Sequence, residues 1–411
     1  KILTFDLATK TVANLTSGSR FELSQDGKKL LVGLRVVDVT AKDVPATAGT
    51  VKTNGLLITV HPIEEWRQMF WDAWRLLRDY FYVANMHGTD WPGIGKKYAS
   101  HLESVRSRDE LDLLIRWMQA ELGSSHQYLS PGDERSVAPK VAGAFLGIDT
   151  EPHPSGLLRI SKLLRGDGID DASPLAAAGL GVREGQFLLA VAGQPLTATS
   201  DYREPLAGRV GQIVSVVVND QPTRQGAKTV FVKPIANETR LRRLDWVEQN
   251  RRYVEKASNG RVGYVYLSAM TGQDVADFIK QFYPQRGKDA LVIDTRFNNG
   301  GNTQSILNRI LAEPLSGFFN MRASDASWTR NGDYFLGPMA CVVNEFNVSC
   351  GEEFPHRFRD LKLGPVIGRR TYGGEVGSDP GWPLADGGRV SVPNYGMWTP
   401  KDGWIIEGPG V

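Results

Sequence analysis

Along the first sixty residues apolar and polar positions alternate in short runs, ILTFDLATKTVANLT, RFELSQDGKKLLVGL and GLLITV, separated by turn residues. Alternation of period two around a SQDGK turn predicts β-hairpins, and an isolated pair of hairpins buries too little to stand alone. From Pro62 the period lengthens. In EEWRQMFWDAWRLLRDYFY the residues Trp66, Phe70, Trp74, Leu77 and Phe81 recur at helical spacing, which predicts a core helix with an aromatic stripe. A second helix, SRDELDLLIRWMQAELG, is expected to begin at a Ser107 cap with Glu110 three residues on and to stop at Gly123.

Residues 143–233 contain GAFLGIDTE, then SPLAAAGLGVREGQFLLAVAGQPLT, VSVVV and TVFVKPI, a pattern of short strands around one small helix. This pattern resembles a PDZ domain, with GAFLGI beside the peptide groove and EGQFLLAVAGQPL as two strands around a Gly turn. The resemblance implies capture of peptide ends by strand addition. A β module without a working groove is the alternative. From residue 236 onward, apolar strands such as ALVIDTRF and MACVVNEF feed helices such as DVADFIKQFY and TQSILNRILA through tight turns, the pattern of an α/β layer.

The chain is thus expected to be multidomain α+β, in keeping with its 411 residues. The divisions are 1–60, the C-terminal part of a β-propeller or other β domain; 61–137, helical; 138–235, PDZ-like; and 236–411, an α/β domain. More of the β domain is expected upstream of Lys1, and a further strand after Val411. The joins GDGIDDASPL, GGNTQSIL and MRASDASW read as compressed.

Composition narrows the class. A net charge of +2 gives no footprint for nucleic acid. Apolar runs such as 54–61 and 187–192 fall short of the roughly 20 residues a membrane span needs. With only two cysteines, Cys341 and Cys350, no disulfide framework is expected and a cytoplasmic setting is favoured. The six histidines form no HExxH or Cys/His cluster, so neither a metal nor another cofactor is expected.

Two turns are placed where chemistry gathers. Asn298-Asn299-Gly300-Gly301 and Asn347-Val348-Ser349-Cys350-Gly351 each follow a buried strand and open a helix, where backbone N–H groups can receive an anion. Taken alone, Ser349 reads more readily as a helix N-cap than as a nucleophile. Among the histidines, His126 stands out because it follows a helix-ending Gly123 and a Ser124-Ser125 pair.

ELGSSHQY, VIDTRFNNGG, VVNEFNVSCGE, RRTYGGEVG and GWIIEGPGV together resemble the tricorn protease group within the tail-specific serine peptidases. EEWRQMFWDAWRLLRDYFY and MHGTDW resemble the helical segment of that group. The resemblance implies a ClpP/crotonase-like catalytic layer and a serine peptidase acting on oligopeptides or unfolded chains through an acyl-enzyme. It carries Ser349 onto the nucleophile, His126 onto the general base, Ser125 onto the hydroxyl beside that base and Glu407 onto the distal acid. The oxyanion hole falls on the amides of Gly301 and Cys350, with Gly300 as their neighbour. Family analogy also implies a homo-oligomer, a hexamer.

The tail-specific branch with a Ser-Lys dyad is disfavoured, because Gly374 stands where its lysine would be and the nearest lysine, Lys362, sits in the strand-like LKLGPVI. Cys350 replaces an aspartate linked to basic specificity, which leaves two readings open at the cleavage site: apolar or small side chains favoured by the thiol, or negative charge supplied by Glu352 or Glu353. Cys350 as nucleophile, a catalytically inactive PDZ-containing scaffold and a crotonase-type enzyme are the competing readings.

Overall fold

The computed structural model describes residues 1–411 apart from 54, 58, 133–140, 167–171, 316, 324–326 and 330–333. Parts of the joins GDGIDDASPL and MRASDASW, and the expected boundary at 137/138, lie outside the described residues. The chain forms two compact units, Lys1–Glu65 and Trp66–Val411.

In the first unit β1 (Ile2–Asp6) pairs with β2 (Thr11–Thr16), and β3 (Glu22–Leu23), β4 (Lys29–Val32) and β5 (Arg35–Asp38) form a three-stranded antiparallel sheet. The alternating pattern turns Leu30, Val32 and Val37 inward onto Ile2 and Leu15. The SQDGK segment forms the expected turn, with the Gly27 N–H donating to the Ser24 carbonyl at 2.8 Å.

Three helices follow: α1 (Pro62–Tyr80), which belongs to the second unit from Trp66 on, α2 (Trp91–Ala99) and α3 (Arg108–Ala120). The expected stripe on α1 is buried along Phe70 and Leu77, joined by Met69 and Ala73. Trp74 and Trp91 donate their indole N–H groups to each other's carbonyls at 3.0 and 3.1 Å, locking α1 to α2. Ser107 caps α3 by accepting from the Glu110 N–H at 3.2 Å. The Glu110 carboxylate, however, accepts from Arg106 rather than from Ser107, so only half of a capping box forms.

The helical core is completed from the far end of the chain. Leu384, Val390 and Val392 pack into it beside Leu129. After α3, the short strand β6 (Leu129–Ser130) pairs antiparallel with Arg389–Val390, and the Ser391 N–H donates to the Tyr128 carbonyl at 2.8 Å. The loop carrying Ser125 and His126 is thereby held between α3 and the C-terminal segment.

The middle of the unit is an antiparallel sheet in the order β12 (Lys228–Val232), β11 (Val214–Asn219), β9 (Phe187–Val191), β8 (Leu158–Leu163), β7 (Ile148–Pro152), with β10 (Gln194–Pro195) paired to β9. The anticipated Gly turn joins β9 to β10, with Ala192 and Gly193 at φ 48° and 81°, the left-handed pair a two-residue hairpin requires. The expected small helix is reduced to single 3₁₀ turns at Pro174–Ala176 and Glu204–Leu206 among the described residues.

The last part begins with α4 (Thr239–Ala257), a 19-residue helix with no counterpart in the periodicity reading. Only Leu241 is buried on it, and ion pairs such as Arg251–Glu248 at 2.7 Å run along its surface, so it has no apolar stripe to detect. Four parallel strands follow in the order β13 (Val262–Tyr266), β14 (Ala290–Asp294), β17 (Met339–Val343), β18 (Val366–Gly368). A hairpin of β15 (Phe318–Asn320) and β16 (Ser327–Thr329) lies between β14 and β17 in the chain. The helices α5 (Gly272–Phe282), α6 (Gln304–Leu311) and α7 (Cys350–Asp360) contribute Phe278, Leu307 and Phe354 to the core of this layer. Lys362 lies in the turn that ends α7, at φ 56°, and not in a strand: the strand expected from LKLGPVI begins only at Val366.

Candidate active site

Because β14 and β17 are neighbours in a parallel sheet, the turns at their carboxyl ends lie side by side. Buried asparagines shape both. Asn298 donates to the Leu267 carbonyl at 2.9 Å and accepts from the Gly300 N–H at 2.9 Å, and its own carbonyl accepts from the Val348 N–H at 3.0 Å. Asn347 donates to the carbonyls of Thr295 and Gly351 at 2.8 and 3.1 Å. A Cβ on Gly300 would come within 2.6 Å of the Ser349 Cβ, so only glycine lets the two turns approach this closely.

Ser349 stands at the N-cap position of α7 with φ 56° and ψ −135°, and its side chain makes no capping hydrogen bond. An N-cap serine adopts extended backbone and uses its hydroxyl on the helix amides. Here the hydroxyl is presented away from that duty, on a backbone conformation of the kind strained by about 1–3 kcal/mol and found where function over-determines geometry. Cys350, the first residue of α7, has an N–H without an acceptor inside the helix. The Gly300 N–H is committed to Asn298 Oδ1 at 2.9 Å.

The histidine loop meets this pair at Gly374. Its carbonyl accepts from the Ser349 N–H at 2.7 Å, and a Cβ there would lie 3.1 Å from the Ser125 Cβ. A side chain at this position would crowd Tyr372 and Ser125. The Ser125 Oγ lies 2.9 Å from His126 Nδ1 and donates to Glu407 Oε2 at 3.0 Å, while the Ser125 N–H donates to Glu407 Oε1 at 2.7 Å. Glu407 also accepts from the N–H groups of Glu375 and Val376, at 2.7 and 2.9 Å. An ionised carboxylate accepts only, so the hydroxyl proton of Ser125 points to Glu407. Its lone pair then accepts from His126 Nδ1–H, and Nε2 is left free to take a proton. Burial lowers the pKa of His126 below its ordinary 6.5, with Glu407 opposing, which keeps the imidazole neutral near pH 7.

Three further carboxylates surround the turns: Glu352 and Glu353, weighed from the sequence only as sources of negative charge beside Cys350, and Glu375, which the motifs did not single out. Glu352 is fully buried and accepts from Thr371 Oγ1, Gly373 N–H and Gly374 N–H at 2.5, 2.6 and 2.7 Å, fixing the 371–374 loop. Glu353 accepts from the Cys350 thiol at 3.2 Å and from Gln304 Nε2 at 2.6 Å. Glu375 accepts from the Met397 N–H at 2.9 Å. Their only trace in the sequence is acidic residues beside glycines, a pattern common on solvated loops. Burial, with the nearby Glu353 thiol partner opposing ionisation, pushes the Cys350 thiol up to about 12, so it is not a standing thiolate.

Burial also pushes the Glu375 carboxyl up from 4.5 to about 7. Between those values the folded chain holds a proton that the unfolded chain releases, so stability falls as pH rises through this window. The fall amounts to roughly 3 kcal/mol in all. In Glu375→Gln, which can still accept from Met397, urea midpoints measured across this range lose that part of the slope. An unchanged slope would refute the assignment.

His87, His153 and His356 have other attachments. His87, for example, bonds to the Leu122 carbonyl at 2.8 Å and the Tyr82 hydroxyl at 2.6 Å, a structural tie within the helical part.

Comparison with known proteins identifies the family. Residues 62–120 match the tricorn protease C1 domain, residues 144–237 the tricorn protease PDZ domain, and residues 261–411 peptidase family S41. The chain belongs to the tricorn protease group of this serine peptidase family. It is 34% identical over 423 residues to tricorn protease homolog 1 of Streptomyces coelicolor, covering 99% of this chain and 39% of that protein. It is 32% identical over 411 residues to the tricorn protease homolog of Saccharolobus solfataricus, covering 96% of this chain and 37% of the relative. The crystal structure of the tricorn protease superposes with a TM-score of 0.84 at 25% identity, covering 100% of this chain and 40% of that one. The chain thus spans well under half the length of these relatives. Among the described residues no helix is long and apolar enough to cross a membrane.

Proposed function

We propose that this chain is a serine endopeptidase that cuts oligopeptides or unfolded chains through a tetrad of Ser349, His126, Ser125 and Glu407. The observation that carries the reading is the continuous chain of hydrogen bonds from Glu407 through Ser125 Oγ to His126 Nδ1, at 3.0 and 2.9 Å. It leaves His126 Nε2 as the candidate base, and the hydroxyl of Ser349 is not spent on capping. Ser349 Oγ attacks the scissile carbonyl as His126 takes its proton, and the imidazolium formed is held by Ser125 and Glu407. The developing oxyanion is received by the amides of Gly301 and Cys350, and Gly300 serves by admitting Ser349. His126 then protonates the leaving amine. Water, activated by the same base, frees the acyl-enzyme.

Residues 1–60 are read as the end of a β-propeller, 61–137 as the helical domain that brings the histidine, 138–235 as a PDZ-like receptor for peptide ends and 236–411 as the crotonase-like catalytic layer. A hexameric assembly, a cytoplasmic setting and independence from cofactors complete the reading. Gly374, packed on Ser125, favours the histidine mechanism over a lysine dyad, and the retained tetrad favours an enzyme over an inactive scaffold. The reading is tested with a fluorophosphonate probe, which is expected to label the wild-type protein on Ser349 and to leave Ser349→Ala unlabelled. Equal labelling of both would refute it.

A further inference from the structure

Glu353 joins the two turns of the site at corresponding points. Gln304 is the first residue of α6, just after Gly300-Gly301, and Cys350 is the first residue of α7, just after Ser349. One carboxylate oxygen of Glu353 takes the Gln304 amide and the other takes the Cys350 thiol. Glu353 thereby links the start of α6 to the start of α7. On the other side of Ser349 the Val348 N–H donates to the Asn298 carbonyl at 3.0 Å, a backbone hydrogen bond between the turns.

We infer that Glu353 is a positioning residue for the oxyanion hole: by holding Cys350 and Gln304 together it sets the spacing and direction of the Gly301 and Cys350 amides. The inference rests on the peptidase reading, since those amides matter only if Ser349 attacks a carbonyl. Substrate need not touch Glu353 for this effect. Misplacing an oxyanion donor weakens binding of the transition state while leaving ground-state binding nearly intact.

The hydrogen-bonding inventory separates this role from simple packing. The Gln304 Oε1 is buried without a partner, so in Glu353→Gln the Gln304 amide can flip and accept from the new NH₂ group, while the other oxygen still takes the thiol. Glu353→Ala breaks both links. Peptide hydrolysis by Glu353→Ala is therefore expected to show kcat reduced by about tenfold to a hundredfold with KM within about twofold, and Glu353→Gln to recover to within about threefold of wild type. A second readout does not need turnover. Removing the carboxylate frees the Cys350 thiol and favours its ionisation, so iodoacetamide should modify Cys350 about tenfold faster in Glu353→Ala, with the fully buried Cys341 as internal control.

A wild-type kcat in Glu353→Ala, or a loss expressed in KM alone, would overturn the inference. Loss of Ser349-dependent cleavage from the wild type itself would instead sink the peptidase reading. In that case the alkylation rate still decides the clamp, and an unchanged rate rejects it.

Discussion

His126→Ala is expected to reduce kcat by on the order of 10⁴ to 10⁶ while the protein keeps its fold, because a neutral serine hydroxyl has no other base within the tetrad. Residues that act as one unit do not contribute additively, so adding Ser349→Ala to His126→Ala should produce little further loss. The wild-type pH profile of kcat/KM supplies the matching sign. The base must be neutral, and burial sets its pKa below 6.5, so activity is retained at pH 6.5 and falls as pH drops through a value beneath it. Near-normal kcat in His126→Ala would exclude this residue as the base.

Glu407 gives the second large effect, and the choice of substitution matters. Its two oxygens accept from Ser125 N–H, Ser125 Oγ–H, Glu375 N–H and Val376 N–H. In Glu407→Gln either orientation of the amide turns an NH₂ group toward a backbone donor. Should it face Ser125 Oγ as well, the hydroxyl proton swings to His126 Nδ1 and forces the ring proton onto Nε2, the wrong tautomer for a base. Glu407→Gln is therefore expected to lose about 10²–10⁴ in kcat and about 1–3 kcal/mol of stability. Glu407→Ala opens space for water at these donors and should keep more stability than the glutamine variant while losing comparable activity. Turnover and urea midpoints on the two variants check both statements, and a glutamine variant as active and stable as wild type would dismantle the relay.

The parts of the fold legible in the sequence are those with a local period. The stripe on α1, the Ser107 cap, the β9–β10 turn and the strands that feed Ser349 and Gly300 all follow from residues within a few positions of each other. The unread parts depend on partners far away. α4 is held by charge pairs and lacks an apolar stripe. The pairing of Leu129–Ser130 with Arg389–Val390, which holds the histidine loop in place, joins short segments separated by more than half of the chain.

The site divides in the same way. Ser349, His126, Ser125 and Glu407 were reached through five ordered motifs, and hydrogen bonds or close packing at Gly374 and Ser125 bring them into one neighbourhood. The structural roles of Glu352, Glu353 and Glu375 were not, the first two being legible only as possible charges near the substrate, because a carboxylate that organises a buried turn looks in sequence like one that is solvated. The paired asparagines offered a fainter sign: Asn298 and Asn347 each follow a buried strand and precede the glycines of a turn, a placement suited to a side-chain amide that replaces a missing ladder.

The most direct test of the peptidase reading is digestion of a mixed peptide library by the wild-type protein and by Ser349→Ala, with products read by mass spectrometry. The account predicts internal cleavages by the wild type that disappear in the variant. The same cleavages from both proteins would contradict it.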